Sequence, residues 1–439
     1  MRLTVIGCGH LGAAHAASMA EIGHEVVGVD IDPEKVALLA SGKAWFHEPG
    51  LDEMLARHTA SGRLRFTTSF EEAAAFGDVH FLGVATPGKD GKDEYDLSQV
   101  YAAVRSLAPL LERSCLIVGK STVSVGTTAV VTELVHQLAP AGSAVEVAWN
   151  PEFLREGLAV EDTLRPDRIV IGVRSETAEK LLREVYAPIV DAGTPLVATD
   201  PATCELVKVT ANAFLAVRLS VINAVAEICE QAGADAATVA KAIGYDTRIG
   251  HRALVPGLGY GGGCLPKDSR AFIAQAEALG VPAAMDFLRD LDAVNLRCRT
   301  RAVNFARELC GGDLAGRRIA VWGAAFKANT DDIRDSPALD VAGQLHAAGA
   351  QVTVYDPMAV ENARAAHPEL GYADSAVEAA TGAEVVVIAT EWDEFKNPDV
   401  EAVSAVVAAK NLVDARSAVD VERWRAEGWT LRRLGLGQN

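Results

Sequence analysis

The chain is predicted to be an α/β protein with two doubly wound parallel sheets joined by a long central helix. Three observations predict this. A strand, a glycine turn spaced G-x-G-x-x-G, a helix and a second strand succeed one another over residues 2–30. A second strand, turn and helix begin at Arg318, and residues 347–357 and 379–390 echo residues 20–30 and 74–86. Between the two, residues 201–231 carry the longest helical pattern in the chain.

At the N-terminus, residues 2–7 form an apolar run rich in β-branched side chains, and a helix over 13–22 ends at Gly23. In the turn, Gly7 permits the sharp bend, Gly9 admits a pyrophosphate and Gly12 allows close packing of helix on strand. The helix N-terminus then faces the phosphates. Asp30, at the end of the second strand (25–29), accepts hydrogen bonds from a ribose diol and repels a 2′-phosphate, which favours NAD over NADP. Residues 78–87 and 116–119 read as further strands, with a polar loop over 88–96. Thr86 and Thr122 stand at carboxyl ends of strands, where ligands bind in open parallel sheets; a helix cap or a turn hydroxyl is the alternative. After the alternating strand 144–148 come Glu152 and Glu156. On a helix these would share one face, either as a surface pair or as an acid and base in a site. Within 201–231, Leu206, Val209, Ala213, Ala216, Val217, Ser220, Val221, Ala224 and Ile228 predict a wide apolar stripe. Lys208 and Asn212 are i, i+4 partners there, although Lys208 could equally be a solvated lysine.

Five glycines precede one thiol in Gly257-Leu258-Gly259-Tyr260-Gly261-Gly262-Gly263-Cys264-Leu265-Pro266-Lys267-Asp268. Glycine lets backbone approach a ligand, and its N–H groups can turn toward an anion. A helix starting at Leu265, with Pro266 in its first turn, would put Cys264 and Asp268 one turn apart on one face. Cys264 is then a nucleophile beside a carboxylate, or else a buried structural cysteine. Arg248, Arg252 and Lys267 form a local cationic set that is either solvated or binds phosphate and sugar oxygens. In the second half, Gly323-Ala324-Ala325-Phe326-Lys327 replaces G-x-G-x-x-G, and a longer connection carries Arg334. The first half is thus expected to hold the dinucleotide and the second the substrate's nucleotide, with the active site in the cleft between them.

A chain of 439 residues is too long for one ordinary core. Expected domains are residues 1–200 for NAD, 201–300 as a central helical dimerisation segment with the cysteine loop, and 301–439 for the substrate's nucleotide. The net charge of −18 argues against nucleic acid as a partner. Seven scattered cysteines without C-x-x-C fit reduced thiols in a cytoplasm and no metal site. No run of 18 apolar residues and no room for a signal peptide before the first strand predict no membrane association.

The motifs Gly7-x-Gly9-x-x-Gly12, Lys120-Ser121-Thr122, Asn150-Pro151-Glu152-Phe153-Leu154-Arg155-Glu156-Gly157, Lys208 with Asn212, Gly261 to Asp268, and Phe326-Lys327 occur in the order found in one family. Over nearly its whole length the chain resembles the UDP-glucose/GDP-mannose dehydrogenase family. Arg165-Pro166-Asp167-Arg168-Ile169-Val170-Ile171-Gly172 is typical of the branch that acts on UDP-glucose, with GDP-mannose the alternative substrate. Two departures are Ser124, where the family usually has proline, and Gly263, where many relatives have serine. The resemblance implies a four-electron oxidation by NAD through a thiohemiacetal and a thioester on Cys264. It implies catalytic roles for Cys264, Lys208, Asp268, Asn212, Thr122, Glu152 and Glu156. The cofactor would meet Gly7, Gly9, His10, Leu11, Gly12, Asp30, Lys35, Thr86, Thr122, Lys267 and Arg334. The nucleotide sugar would meet Glu152, Phe153, Leu154, Arg155, Glu156, Lys208, Asn212, Arg248, Arg252, Tyr260, Gly261, Phe326 and Lys327. A homodimer through the central helix is implied. A two-electron alcohol dehydrogenase and a non-catalytic nucleotide-sugar sensor are the competing readings.

Overall fold

The computed structural model describes residues 1–89 and 93–437. Asp90, Gly91 and Lys92 of the expected loop 88–96 lie outside the described residues. Contacts divide the chain into two units, Met1–Ala211 with Ala274–Gly280, and Asn212–Ile273 with Val281–Asn439. Residues 201–300 are shared out between them.

The first unit is built on eight strands: β1 (Arg2–Ile6), β2 (Glu25–Val29), β3 (Leu64–Thr67), β4 (Val79–Leu82), β5 (Cys115–Gly119), β6 (Val145–Trp149), β7 (Ile169–Gly172) and β8 (Leu196–Thr199). Their order in the sheet is β3-β2-β1-β4-β5-β6-β7-β8. Strands β1 to β6 are parallel, as short apolar runs with helical crossovers require. One correction applies: β7 meets β6 antiparallel, through the single pair Trp149 and Gly172, so the last two strands reverse direction. Side chains alternate between two cores. Leu3, Val5, Phe81, Leu116 and Val118 pack on one face of the sheet; Ile6, Val29, Leu82 and Ile117 pack on the other.

The second unit has β9 (Arg318–Trp322), β10 (Gln351–Tyr355), β11 (Gly371–Tyr372), β12 (Val385–Ile388), β13 (Asn411–Asp414) and β14 (Thr430–Arg433), ordered β11-β10-β9-β12-β13-β14. This repeats the order of β3-β2-β1-β4-β5-β6, so the echo in the sequence is an echo in topology. The acid ending each second strand has the same local task. Asp30 accepts from the Cys8 N–H at 2.8 Å. Asp356 accepts from Ala324 and Ala325 N–H at 2.8 and 3.0 Å. Asp356 also takes the Trp392 indole N–H and the N–H groups of Met358 and Ala359. With five donors its oxygens are committed, whereas Asp30 keeps capacity for a ligand.

Helix Pro201–Ala232 has 32 residues, about 48 Å of rise. By length and hydropathy it is the one described helix that could cross a membrane. It carries buried Glu205, Lys208 and Asn212, each with polar partners within the fold, as a core helix does. The expected apolar stripe splits in two. Val209, Ala213, Ala216 and Ser220 are buried, but Val221 and Ile228 are exposed in line with Phe214 at seven-residue spacing.

Candidate active site

In the first unit the site begins at the glycine turn after β1. Gly7 has φ +88°, and a Cβ at Gly12 would lie 1.8 Å from the Gly7 carbonyl oxygen. No side chain fits there, so strand and helix touch through backbone alone. A Cβ at Gly9 would meet nothing within 4 Å. The turn is thus packed beneath and open above, which fits a pyrophosphate at the N-terminus of helix His10–Glu21. The His10 ring packs on Trp45 and Phe46 with centroids 4.7 and 4.1 Å away, and the Lys35 ammonium lies 4.8 Å from the Trp45 ring. Trp45 donates weakly to the Cys8 carbonyl at 3.5 Å. Nothing in its spacing marks Trp45 as part of this turn. Leu11 is half-buried in the same first helical turn.

At the carboxyl ends of β4 and β5, the Thr86 hydroxyl donates to the Thr122 carbonyl at 2.8 Å. The turn after Thr122 closes without proline, because Thr127 donates both N–H and hydroxyl to the Ser124 carbonyl. Buried Glu205 then caps the next helix by accepting from Gly126 N–H, Thr128 N–H and the Thr128 hydroxyl.

Residues 150–157 are not helical, so Glu152 and Glu156 share no helical face. Asn-Pro at the start of the segment disfavours helix, and buried Glu48 anchors its end by accepting from Gly157 and Ala159 N–H, both at 2.7 Å. The Glu152 carboxylate lies 3.4 Å from the Lys208 ammonium; the two side chains are 13% and 5% exposed. Lys208 is therefore no solvated lysine. Phe153 carries two cations: its ring centroid is 5.4 Å from the Lys208 ammonium and 3.7 Å from the Arg168 guanidinium carbon. Burial pushes the Arg168 pKa down. Leu154 N–H donates to Glu152, while Arg155 turns outward to Asp162.

In the second unit, helix Leu265–Ala278 starts directly after Cys264, with Asp268 N–H donating to the Cys264 carbonyl at 2.8 Å. Cys264 is exposed; the other six cysteines are buried. Asp268, 1% exposed, accepts from the Asn212 amide at 2.6 Å and pairs with Lys267 at 3.1 Å. A carboxylate is thus held rigidly one turn from an accessible thiol. Asn212 has a second N–H for another acceptor.

The glycines before Cys264 also allow a close backbone crossing, and part of the segment's N–H groups are taken up within the fold. The N–H groups of Gly257, Tyr260 and Gly262 donate to Asn223, Asn295 and the Arg334 carbonyl. A Cβ at Gly261 would sit 2.1 Å from the Asp335 carbonyl oxygen, and one at Gly262 2.8 Å from the Phe326 ring. Glycine is needed because backbone passes over backbone of the same unit. Half-buried Arg416 ties the two segments of this crossing by donating to the Gly259 and Phe326 carbonyls. Tyr260 is buried, and burial pushes its hydroxyl pKa up to about 12. A Cβ at Gly263 would lie 2.6 Å from the Arg334 guanidinium carbon, which occupies the space a serine would use. Arg334 pairs with Asp332, and the Lys327 ammonium lies 5.7 Å from the Phe326 ring. Arg248 is 86% exposed and paired with Asp246; Arg252 is exposed as well.

Comparison with known proteins agrees with this geometry. Residues 1–190 match the NAD binding domain of the UDP-glucose/GDP-mannose dehydrogenase family, 202–297 its central domain and 320–421 its UDP binding domain. The chain is 42% identical over 437 residues to UDP-glucose 6-dehydrogenase of Rhizobium meliloti, covering 99% of both chains. It is 42% identical over 434 residues to UDP-glucose 6-dehydrogenase of Haloferax volcanii, covering 96% of this chain and 99% of that one. The solved UDP-glucose dehydrogenase of Pyrobaculum islandicum superposes with TM-score 0.91 at 38% identity, covering 100% of this chain and 98% of that one. With a dinucleotide turn, a repeated second sheet and an accessible thiol beside a buried carboxylate, the chain belongs to the UDP-glucose/GDP-mannose dehydrogenase family and is an NAD-dependent dehydrogenase.

Proposed function

We propose that this enzyme oxidises the C6 alcohol of UDP-glucose to the carboxylate of UDP-glucuronate, through a covalent intermediate on Cys264. The observation that carries the reading is the single exposed thiol, one helical turn from a carboxylate held by Asn212 and Lys267. The names of the relatives and the UDP binding domain support the choice of sugar. NAD, which the Gly7–Gly12 turn and Asp30 would hold, would supply the hydride acceptor for each of the two oxidations.

The residues divide the remaining work. Lys208 stabilises negative charge on the C6 oxygen, and its partner Glu152 receives the hydroxyl proton through a water held by Thr122. The product of this step is an aldehyde. Cys264 Sγ adds to the aldehyde carbon; the C=O electron pair moves to oxygen, which takes up the thiol's proton, giving a thiohemiacetal. Its oxidation leaves a thioester. Asp268 orients a water and accepts its proton as the C–S bond breaks, and sulfur leaves with the bonding pair and is reprotonated. Asn212 supplies its free N–H to the oxyanion. The Arg334 guanidinium beside Gly263 brings positive charge to the residue before Cys264, whose sulfur must carry negative charge. Chain 1–200 is assigned to NAD, 201–300 to the central segment and 301–439 to the nucleotide of the sugar. The exposed line Phe214, Val221 and Ile228 supports a homodimer through the long helix, and seven reduced thiols support a cytoplasmic setting.

The test is stoichiometry. UDP-glucose should yield two NADH per sugar and UDP-glucuronate, with GDP-mannose turned over far more slowly. One NADH per sugar would indicate a simple alcohol dehydrogenase; binding without NADH would indicate a sensor. A second prediction concerns the ribose. Asp30→Ala should weaken NAD binding by about 10- to 100-fold, the scale of a charged hydrogen bond, while NADP binding changes little or improves. Titrations with both nucleotides measure this, and equal losses for the two would remove Asp30 from the ribose.

A further inference from the structure

Lys120, at the end of β5, is a buried lysine that the mechanism above does not use. It is 7% exposed. Its ammonium donates to the Asn150 side-chain oxygen at 2.9 Å and lies 3.4 Å from the Asn150 carbonyl. Its own carbonyl accepts from Glu152 N–H at 3.3 Å. Lys120 thus grips both ends of the tripeptide Asn150-Pro151-Glu152, whose last residue pairs with Lys208. The Tyr186 hydroxyl, fully buried and donating to the same Asn150 oxygen at 2.5 Å, and the Asn150 amide, donating to the Val170 carbonyl at 2.8 Å, complete the clamp.

We propose that Lys120, in its charged form, is a positioning residue for the reaction: it locks Asn150–Glu152 in place so that the Glu152 carboxylate meets Lys208. The activity readout rests on the function proposed above; the structural one does not.

The charged groups around Lys120 come from each element packed on it. Glu152 favours the ammonium from the loop after β6, and Cys204 from helix Pro201–Ala232 would favour it if ionised. Buried His15, on helix His10–Glu21, feels Lys120 and is held neutral chiefly by burial. The Phe81 ring lies 5.9 Å away. Burial outweighs the attraction of Glu152 and pushes the lysine pKa down to about 8. A lysine whose charge is opposed by its surroundings, yet which is buried and hydrogen-bonded to Asn150, is the pattern of a functional group and not of a solvated one. As pH rises through about 8 the charge is lost, and with it the charged grip on the two Asn150 oxygens that fixes the loop carrying Glu152.

Lys120→Met should lower kcat by about 10- to 100-fold with the KM for NAD changed less than about twofold. Hydrogen exchange over residues 150–157 should speed up at neutral pH. The wild-type kcat should fall on an alkaline limb near pH 8, and Lys120→Arg, charged at every accessible pH, should move that limb upward. A wild-type profile flat through pH 9, an arginine variant keeping the wild-type limb, or a methionine variant with unchanged kcat and exchange would each overturn the proposal. If the methionine variant does not fold, the wild-type and arginine profiles decide. If wild-type protein makes no NADH from UDP-glucose, the substrate reading fails by itself, and exchange over 150–157 in Lys120→Met still decides whether Lys120 holds the loop.

Discussion

Cys264→Ser is expected to stop net uronate formation, lowering kcat by about 10³-fold or more. Serine is nearly the same size, so the exposed position at the start of helix Leu265–Ala278 tolerates it and folding is unchanged. The loss is chemical. A hydroxyl is a far weaker nucleophile than a thiol at neutral pH, and an alkoxide leaves an ester more slowly than a thiolate leaves a thioester. Any sugar that does reach the acyl stage should therefore stay on the protein. Intact-protein mass spectrometry after incubation with UDP-glucose and NAD should find that adduct, or free aldehyde should accumulate in solution. Ordinary turnover to UDP-glucuronate by the serine variant would remove Cys264 from the reaction. The six buried cysteines serve as internal controls: their sulfurs are desolvated, which pushes their pKa values up and suppresses the nucleophilic form.

The second large effect separates two glycines three residues apart. Gly12→Ala puts a Cβ 1.8 Å from the Gly7 carbonyl oxygen, so backbone must move. We expect a loss of about 3 kcal/mol, a Tm lower by about 6–12 °C, and no measurable NAD binding. Gly9→Ala adds its Cβ to open space, so Tm should stay within about 2 °C, as for an unstrained surface change. The new methyl group would nonetheless stand where a pyrophosphate approaches, and NAD affinity should fall by about tenfold or more, the scale of a lost charged hydrogen bond. Calorimetric titration and thermal melts on both variants give the four numbers. If Gly9→Ala kept full affinity, the phosphates would have to lie elsewhere than over this turn.

Much of the fold was legible because periodicity and turn chemistry are local. The run Leu3-Thr4-Val5-Ile6 followed by glycine could only be a buried strand entering a tight turn, and Asp30 could be placed by counting along the next strand. The repeat of that pattern from Arg318 foretold a second sheet of the same order, now seen strand for strand. Local reasoning failed where long-range contacts decide. The reversal between β6 and β7 rests on one bridge between residues 23 apart. The segment 150–157 has helix-compatible spacing of its glutamates, yet Asn-Pro and a distant Glu48 hold it out of a helix. Lys120 stands in the motif Lys120-Ser121-Thr122, which assigns it no role by itself; its burial beside Phe81 and Asn150 distinguishes it.

The order of bases for the site divides the same way. From residue types and spacing came the dinucleotide turn, an acid at the end of the second strand, the thiol, and the lysine and asparagine one turn apart; the resemblance of the motifs brought the family. Those features are written in a few neighbouring residues, and backbone geometry carries them without reference to the rest of the chain. The tertiary structure alone decided that Lys208 pairs with Glu152, that Asn212 and Lys267 immobilise Asp268, and that the glycines before Cys264 are spent on a backbone crossing with Phe326 and Asp335. Each of these depends on which buried polar groups meet across tens or hundreds of residues. Burial makes such meetings obligatory, but no local pattern names the partners.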